Sequence, residues 1–152
     1  SYMGYLDDAM DEGVFRYINK PLDKNVISRG LRKAVELCYK KQSKKIVIKE
    51  SKNNVIIEQD DIIYIESIAR KRCVYTEKQE YLTLESLAYW KKLLDDDMFF
   101  LVNKSIIVNI KKVEQFSNNN IRLKGIEQEI PLSRDRKSEF KQKLLLYLAG
   151  QE

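Results

Sequence analysis

After residue 45 the chain is made of short β-branched runs separated by polar residues, and this pattern constrains the fold more than any other feature. The runs are Ile46-Val47-Ile48, Val55-Ile56-Ile57, Ile62-Ile63-Tyr64-Ile65 and Cys73-Val74-Tyr75-Thr76, followed by Ile106-Ile107-Val108, Val113 to Phe116, Ile121 to Leu123 and Glu129 to Leu132. Each is too short for a stable helix and has the composition of a strand. Lys52-Asn53-Asn54 and Asn118-Asn119-Asn120 supply turn chemistry. Two helices are expected among the strands. Ser86 can cap one over about 86–95, with Leu87, Trp90 and Leu94 on one face. Phe140, Leu144, Tyr147 and Leu148 form the stripe of the other. Residues 43–152 therefore read as a mainly β domain with helices (α+β), mostly antiparallel and large enough to bury a core alone.

Residues 1–42 have a different character. Tyr5 to Glu12 reads as a short amphipathic helix stopped by Gly13, and Val14 to Ile18 as a strand ended by Lys20-Pro21. Asp23 can cap a helix over about 24–42 whose apolar stripe is Ile27, Leu31, Ala34, Val35 and Cys38. KKQSKK (residues 40–45) closes this helix and begins a linker. One strand between two helices leaves unpaired edges and an uncovered face. The segment is expected to belong to something larger. In this chain its strand is expected to pair with another chain, to swap, or to dock in a non-native way.

Composition removes whole classes of chemistry. The 152 residues contain no histidine, two cysteines (Cys38 and Cys73) and five glycines that never cluster. Ser-His-Asp and Cys-His catalysis, His-ligated or Cys-based zinc, a disulfide framework and glycine-rich phosphate loops are all excluded. An enzyme is not expected, and neither a cofactor nor a metal. No apolar run approaches the roughly 18 residues of a membrane span. The first residues lack the basic region of a secretory signal, and the chain does not begin with Met, as a fragment would not. Two lone cysteines suit a reducing cytoplasm.

The balance is basic, with 28 Lys and Arg against 23 Asp and Glu. Most of the surplus lies in residues 41–152, which hold 21 basic and 17 acidic side chains. Basic residues bunch at Lys40, Lys41, Lys44 and Lys45, at Arg70, Lys71 and Arg72, and at Arg134, Arg136 and Lys137. Any one bunch is most simply a solvated surface. Three in one small domain point to a phosphate-binding face.

The stretch DAMDEGVFRYINKPLDKNVISRGLRKAV resembles the C-terminal part of the receiver domain of two-component response regulators: acidic helix, Gly, a strand ending in aromatic-x-x-Lys-Pro, then a helix. The resemblance implies a helix–strand–helix remnant of a doubly wound α/β receiver over residues 1–42. Lys20 would be its switch lysine, which pairs with the phosphoryl group. The phosphoacceptor aspartate, the acidic metal-binding pair and the switch Ser/Thr would lie before Ser1, so this chain could neither accept phosphate nor hold the associated magnesium.

Residues 43–152 resemble the LytTR-type DNA-binding domain of LytR/AlgR-type response regulators. The landmarks are DDIIYIESIARKRCVY, LTLESLAYWKKLLDDDMFFLVNKSIIVNIKKVEQF and IPLSRDRKSEF, in order and at matching spacing over about 100 residues. The resemblance implies an elongated antiparallel β fold with a C-terminal helix. Its loops would enter successive major grooves of double-stranded DNA, usually at direct repeats in promoters. It makes Arg72, placed in the loop after Ile65-Glu66-Ser67, a base contact, together with Lys104 before Ser105 and Arg134 after Ser133. Arg70, Lys71, Ser105 and Arg136 become phosphate contacts. Lys104 stands where Arg or Asn is common, and Asn103 where His is frequent. The chemistry agrees: Arg can grip guanine with two parallel bonds, whereas Lys, Ser and backbone N–H groups hold phosphates.

The implied whole is a bacterial, cytoplasmic response regulator of a phosphorelay. It would be served by a cognate histidine kinase, and phosphorylation of the full receiver would drive homodimerisation and transcription regulation. The competing expectation is a protein–protein interaction or dimerisation module whose basic bunches serve solubility. Asn109, ending an apolar strand, is expected to cap a turn and not to touch a ligand. Tyr64, Tyr75, Trp90, Phe99, Phe100, Phe116 and Phe140 are expected mainly in the core. Cys73 beside Arg72 could have a lowered thiol pKa, although a buried strand cysteine is the simpler expectation.

Overall fold

A computed structural model describes residues 24–41 and 43–150. It divides at Ser43/Lys44 into two compact units. In the first, helix α1 spans Lys24–Lys41. Leu31 and Val35 of its expected stripe lie 61% and 50% exposed, so no described packing covers them, while Ile27 and Ala34 are half-buried. Asp23, Lys20, the Tyr5–Glu12 helix and the Val14–Ile18 strand lie outside the described residues.

The second unit contains ten strands. A hairpin of β1 (Lys45–Lys49) and β2 (Asn54–Glu58) is followed by β3 (Ile62–Ile68), β4 (Lys71–Thr76) and β5 (Glu80–Thr83). Helix α2 (Leu87–Leu93) precedes β6 (Phe99–Asn103) and β7 (Ile106–Asn109). A meander of β8 (Val113–Phe116), β9 (Asn120–Leu123) and the two-residue β10 (Ile130–Pro131) leads to helix α3 (Lys137–Ala149). The central sheet is antiparallel in the order β5-β4-β3-β7-β6.

Alternation along its strands sends side chains to two separate cores. On one face Ile65, Val74, Tyr81 and Ile107 pack with Ile46, Ile48 and Ile57 of the hairpin and with Trp90 and Leu94 around α2. On the other, Tyr64, Phe100, Val102 and Val108 pack with Ile121, Leu123 and Ile130 of the meander and with Phe140 and Leu144 of α3. The sheet is thus the middle layer, and fully burying one such isoleucine contributes about 1.5–3 kcal/mol.

Local chemistry places the helices. The Ser86 side chain accepts from the Tyr89 N–H at 3.1 Å, the expected cap of α2. Phe140 and Leu144 are buried in α3 as expected, but Leu148 is 52% exposed, as are Leu145 and Leu146 at 66% and 69%. Phe116, expected mainly in the core, is 39% exposed, with its ring edge-on to that of Phe140. Asn109 behaves as its position suggested. It is fully buried, its Oδ1 accepts from the Lys111 N–H at 3.0 Å, and its Nδ2 donates to the Ile62 carbonyl at 2.8 Å.

Antiparallel register gives the central sheet two ends. One gathers the short 3-10 turn Gln59–Asp61, the Thr76–Glu80 turn, and the 3-10 turn Ile110–Lys112. Here Lys111 pairs with Asp60 at 3.3 Å, Lys78 with Asp61 at 3.6 Å, and Lys112 with Glu77. The Lys112 ammonium, by its hydrogen bond and its charge, holds the Glu77 carboxyl below the usual carboxylate range. The opposite end carries the β3–β4 turn, the β6–β7 turn and the end of β5.

Candidate nucleic-acid interface

The β3–β4 turn consists of two residues, Ala69 and Arg70. Ala69 has φ 54°, a left-handed conformation that costs a non-glycine residue about 1–2 kcal/mol. The tight reversal leaves Arg70 and Lys71 exposed at the tip. Arg72 is not a loop residue, as the sequence suggested. Strand β3 runs on to Ile68, and Arg72 is the second residue of β4, opposite Ser67 on one side and Thr83 on the other. It is half-buried, and its Nε is fully buried with no hydrogen-bond partner among the described residues. An unpaired buried donor costs about 1–3 kcal/mol, a cost that an incoming acceptor would remove.

Lys104 and Ser105 form the two-residue β6–β7 turn, both exposed. The Ser105 N–H donates to Asn103 Oδ1 at 2.8 Å, and the Ser105 carbonyl accepts from the Ser67 N–H at 2.8 Å. The second bond ties the β6–β7 turn to the β3–β4 hairpin, and hence to Arg72 across from Ser67.

The third cationic segment reaches the same end through β6. A bulge shifts the register between Leu101 and Asn103. The Val102 carbonyl accepts from the Ser133 N–H at 3.0 Å, and Asn103 Nδ2 donates to the Pro131 carbonyl at 2.7 Å. Arg134 follows at the start of a 3-10 turn, Arg134–Arg136, that leads into α3. Arg134 is exposed. Arg136 is half-buried and pairs with Glu139 at 3.8 Å. Arg136 also lines a cavity of about 220 Å³ beside β6, with Lys91, Asp96, Glu139 and Lys143 on its polar side. The N-cap residue of α3, Arg136, makes no capping bond with its side chain, and a helix start favours a negative neighbour.

The structure thus brings together the three segments that carry Arg72, Lys104 and Arg134. Arg70, Lys71, Arg72, Lys104 and Arg134 form no ion pair among the described residues. The acids nearest in sequence are Asp135, which is exposed, and Glu66, which is half-buried in β3, while Glu139 is engaged with Arg136. Sequence marked Asn103 only as a departure from the family's frequent His, and gave no bridging part to its amide or to the backbones of Ser67 and Ser133, which join the segments. The only available signal was the habit of Asn side chains of bonding backbone two residues on.

Cys73 does not belong to the charged edge. It is 3% exposed. Burial pushes its thiol pKa up, and Glu80, whose carboxylate accepts from Sγ at 3.9 Å, raises it further. Arg72 therefore does not activate it, and the buried strand cysteine is the observed state. Tyr64 and Tyr75 stack at 4.1 Å and 7° beside it. The described residues contain no group of His, Cys, Asp and Glu that could hold a metal ion, and no helix long and apolar enough to cross a membrane.

Residues 52–145 match the family described as the LytTr DNA-binding domain. Curated relatives include the transcriptional regulatory protein YpdB of Escherichia coli K12, 26% identical over 153 residues, covering 89% of this chain and 62% of the relative. The sensory transduction protein LytT of Bacillus anthracis is 26% identical over 168 residues, covering 95% of this chain and 66% of the relative. The transcriptional regulatory protein NatR of Bacillus subtilis 168 is 30% identical over 118 residues, covering 75% of this chain and 49% of NatR. The chain therefore spans less than two thirds of the length of each of these relatives. A solved LytTr DNA-binding domain of a Bacillus cereus response regulator has the same fold, with a TM-score of 0.55 at 21% identity, covering 68% of this chain and 97% of that one.

Proposed function

This chain belongs to the LytTR family of DNA-binding domains, and from that membership we propose how it reads its target. It is a DNA-binding output domain of transcription regulation. In our reading the end of the central sheet carrying the β3–β4 and β6–β7 turns and the Ser133–Arg136 segment faces double-stranded DNA. Arg72, Lys104 and Arg134 contact bases in successive major grooves. Arg70, Lys71, Ser105 and Arg136 contact phosphates.

The observation that carries this reading is the asymmetry of charge pairing: five cations without an acid partner among the described residues stand at one end of the sheet, on segments hydrogen-bonded to one another. Desolvated against phosphate, such cations release counterions, and log affinity falls with log salt by about 0.9 per phosphate neutralised. The partly buried Arg72 suits a base contact, because its buried stem restricts its rotamers and its unpaired Nε seeks an acceptor. Exposed Arg70 and Lys71 suit phosphates, which lie on the outside of the duplex and require only charge.

The segment before Lys44 is, in our reading, the closing helix–strand–helix of a receiver domain over residues 1–42, with residues 43–152 as the output domain and Lys20 as the remnant of the switch. The match to LytT supports this, because at 95% of the chain it extends well into that segment. In the full protein a cognate histidine kinase would phosphorylate the receiver, and dimerisation would set two β domains on adjacent repeats in the bacterial cytoplasm. Linking two sites in this way raises affinity through effective concentration.

The test is equilibrium binding to duplex DNA across a salt series, with Arg72→Ala, Lys104→Ala and Arg134→Ala as variants. Binding that prefers one sequence, and loses that preference in each variant, is expected. Binding without sequence preference, unchanged by the three substitutions, would refute the assignment.

A further inference from the structure

We propose that Asn103 is the positioning residue that fixes the Lys104 turn relative to the Arg134 segment, and so sets sequence discrimination without itself reading a base. The inference rests on the assignment of Lys104 and Arg134 as base contacts. Lys104 sits on a hairpin of the central sheet, and Arg134 follows the meander, so their relative placement depends on what joins sheet to meander at this end. Two bonds from β6 do so: the Val102 carbonyl to the Ser133 N–H at 3.0 Å, and Asn103 Nδ2 to the Pro131 carbonyl at 2.7 Å. The β6 bulge lies at these two residues, the usual device for re-aiming a side chain out of a ladder. Asn103 Oδ1 holds the other side by accepting from the Ser105 N–H at 2.8 Å. One planar amide therefore spans the reading turn and the approach to Arg134.

Only an amide suits this place. The Ser105 N–H needs an acceptor and the Pro131 carbonyl needs a donor, which fixes the orientation of the group. Aspartate can serve the first but not the second. Asn109, at the other end of the sheet, makes the same pair of bonds: Oδ1 to an N–H two residues on, Nδ2 to a carbonyl of another element. Asn109 is fully buried, whereas Asn103 is only half-buried. Asn109 locks the core, and Asn103 locks the edge that meets DNA.

The experiment compares wild type, Asn103→Ala and Asn103→Asp on the preferred duplex, on a scrambled duplex, and on duplexes with each base pair changed singly. Asn103→Ala is expected to weaken the preferred duplex about tenfold, the loss of two modest hydrogen bonds. Its affinity for scrambled DNA and its salt slope should stay at the wild-type values. Discrimination should flatten at the base pairs that Lys104→Ala and Arg134→Ala flatten. Asn103→Asp keeps the bond from Ser105 and should flatten only the Arg134 positions, with its charge weakening all duplexes alike. It also carries the test if Asn103→Ala fails to unfold cooperatively. Wild-type discrimination in a folded Asn103→Ala, or flattening by Asn103→Ala at a single base pair that neither Lys104→Ala nor Arg134→Ala flattens, would overturn the proposal; the latter would make Asn103 a direct contact. If Lys104→Ala and Arg134→Ala flatten no position even with Asn103 intact, the underlying assignment has failed, and the inference with it.

Discussion

At one end of the central sheet Asp60, Asp61 and Glu77 each meet a lysine; at the other, Arg70, Lys71, Arg72, Lys104 and Arg134 meet no acid among the described residues. Both ends are built from the same parts: tight turns, short 3-10 segments and one asparagine that bridges two elements. The difference lies in what the charges are left to do. Exposed ion pairs contribute little to stability, about 0–1 kcal/mol each. The paired end therefore gains mainly a neutral surface that does not attract polyanions. The unpaired end gives up even that small contribution, and in the proposed reading its cations are kept for phosphate and base edges.

The two asparagines offer the largest way to break this comparison. Asn109→Ala strands the Ile62 carbonyl and the Lys111 N–H around a buried site, and we expect a loss of about 2–3 kcal/mol in denaturant unfolding. The folded fraction should keep its DNA preference. A variant that alters sequence preference while leaving stability intact would erase the distinction between the ends.

Next in size is Arg134→Ala, expected to lower affinity for the preferred duplex by about 1–3 kcal/mol and to relax one position of the site. Lys71→Ala should instead weaken all duplexes alike and reduce the salt slope by about 1, as loss of one phosphate contact requires. The two are told apart by titrating each variant against preferred and scrambled DNA at several salt concentrations.

A smaller effect concerns backbone. Ala69→Gly relieves the left-handed strain at φ 54° but adds freedom to the unfolded chain. The balance is a net gain of about 0.5–1 kcal/mol in thermal or urea unfolding.

The smallest effect is at the paired end. The Glu77 pKa is depressed by Lys112 in the folded state. Its contribution is present above the ordinary carboxylate pKa and is lost as pH falls through the lower, folded-state value. The stability difference between wild type and Glu77→Gln should therefore be positive at neutral pH and vanish in acid. Glu77 is largely exposed, so the difference will be slight and will shrink in salt.

Much of this was legible in the sequence, for physical reasons that also explain the gaps. β-branched runs revealed most strands, and Ser86 and Asn109 revealed their caps, because those signals act locally. Strand β5 was missed because Glu80–Thr83 is four residues long and mixes charge with Tyr81 and Leu82. Strand β6 was missed because Phe99 and Phe100 read as core aromatics with no alternation between them. Arg72 was placed in a loop because the β3–β4 turn is Ala-Arg, without the Asn-Gly chemistry that announces a two-residue hairpin. The bond from Asn103 to Pro131 was invisible because its partner lies 28 residues away, across a contact that only the fold creates.

The central claim is that one end of the sheet, and not the other, meets DNA. The direct measurement is an amide NMR titration of this chain with duplex DNA carrying its preferred site. Shifts confined to Ser67, Ala69 to Arg72, Lys104, Ser105 and Ser133 to Arg136, with Asp60, Asp61, Glu77, Lys78, Lys111 and Lys112 unmoved, are the predicted result. Shifts concentrated at the paired end, or spread evenly over both, would contradict it.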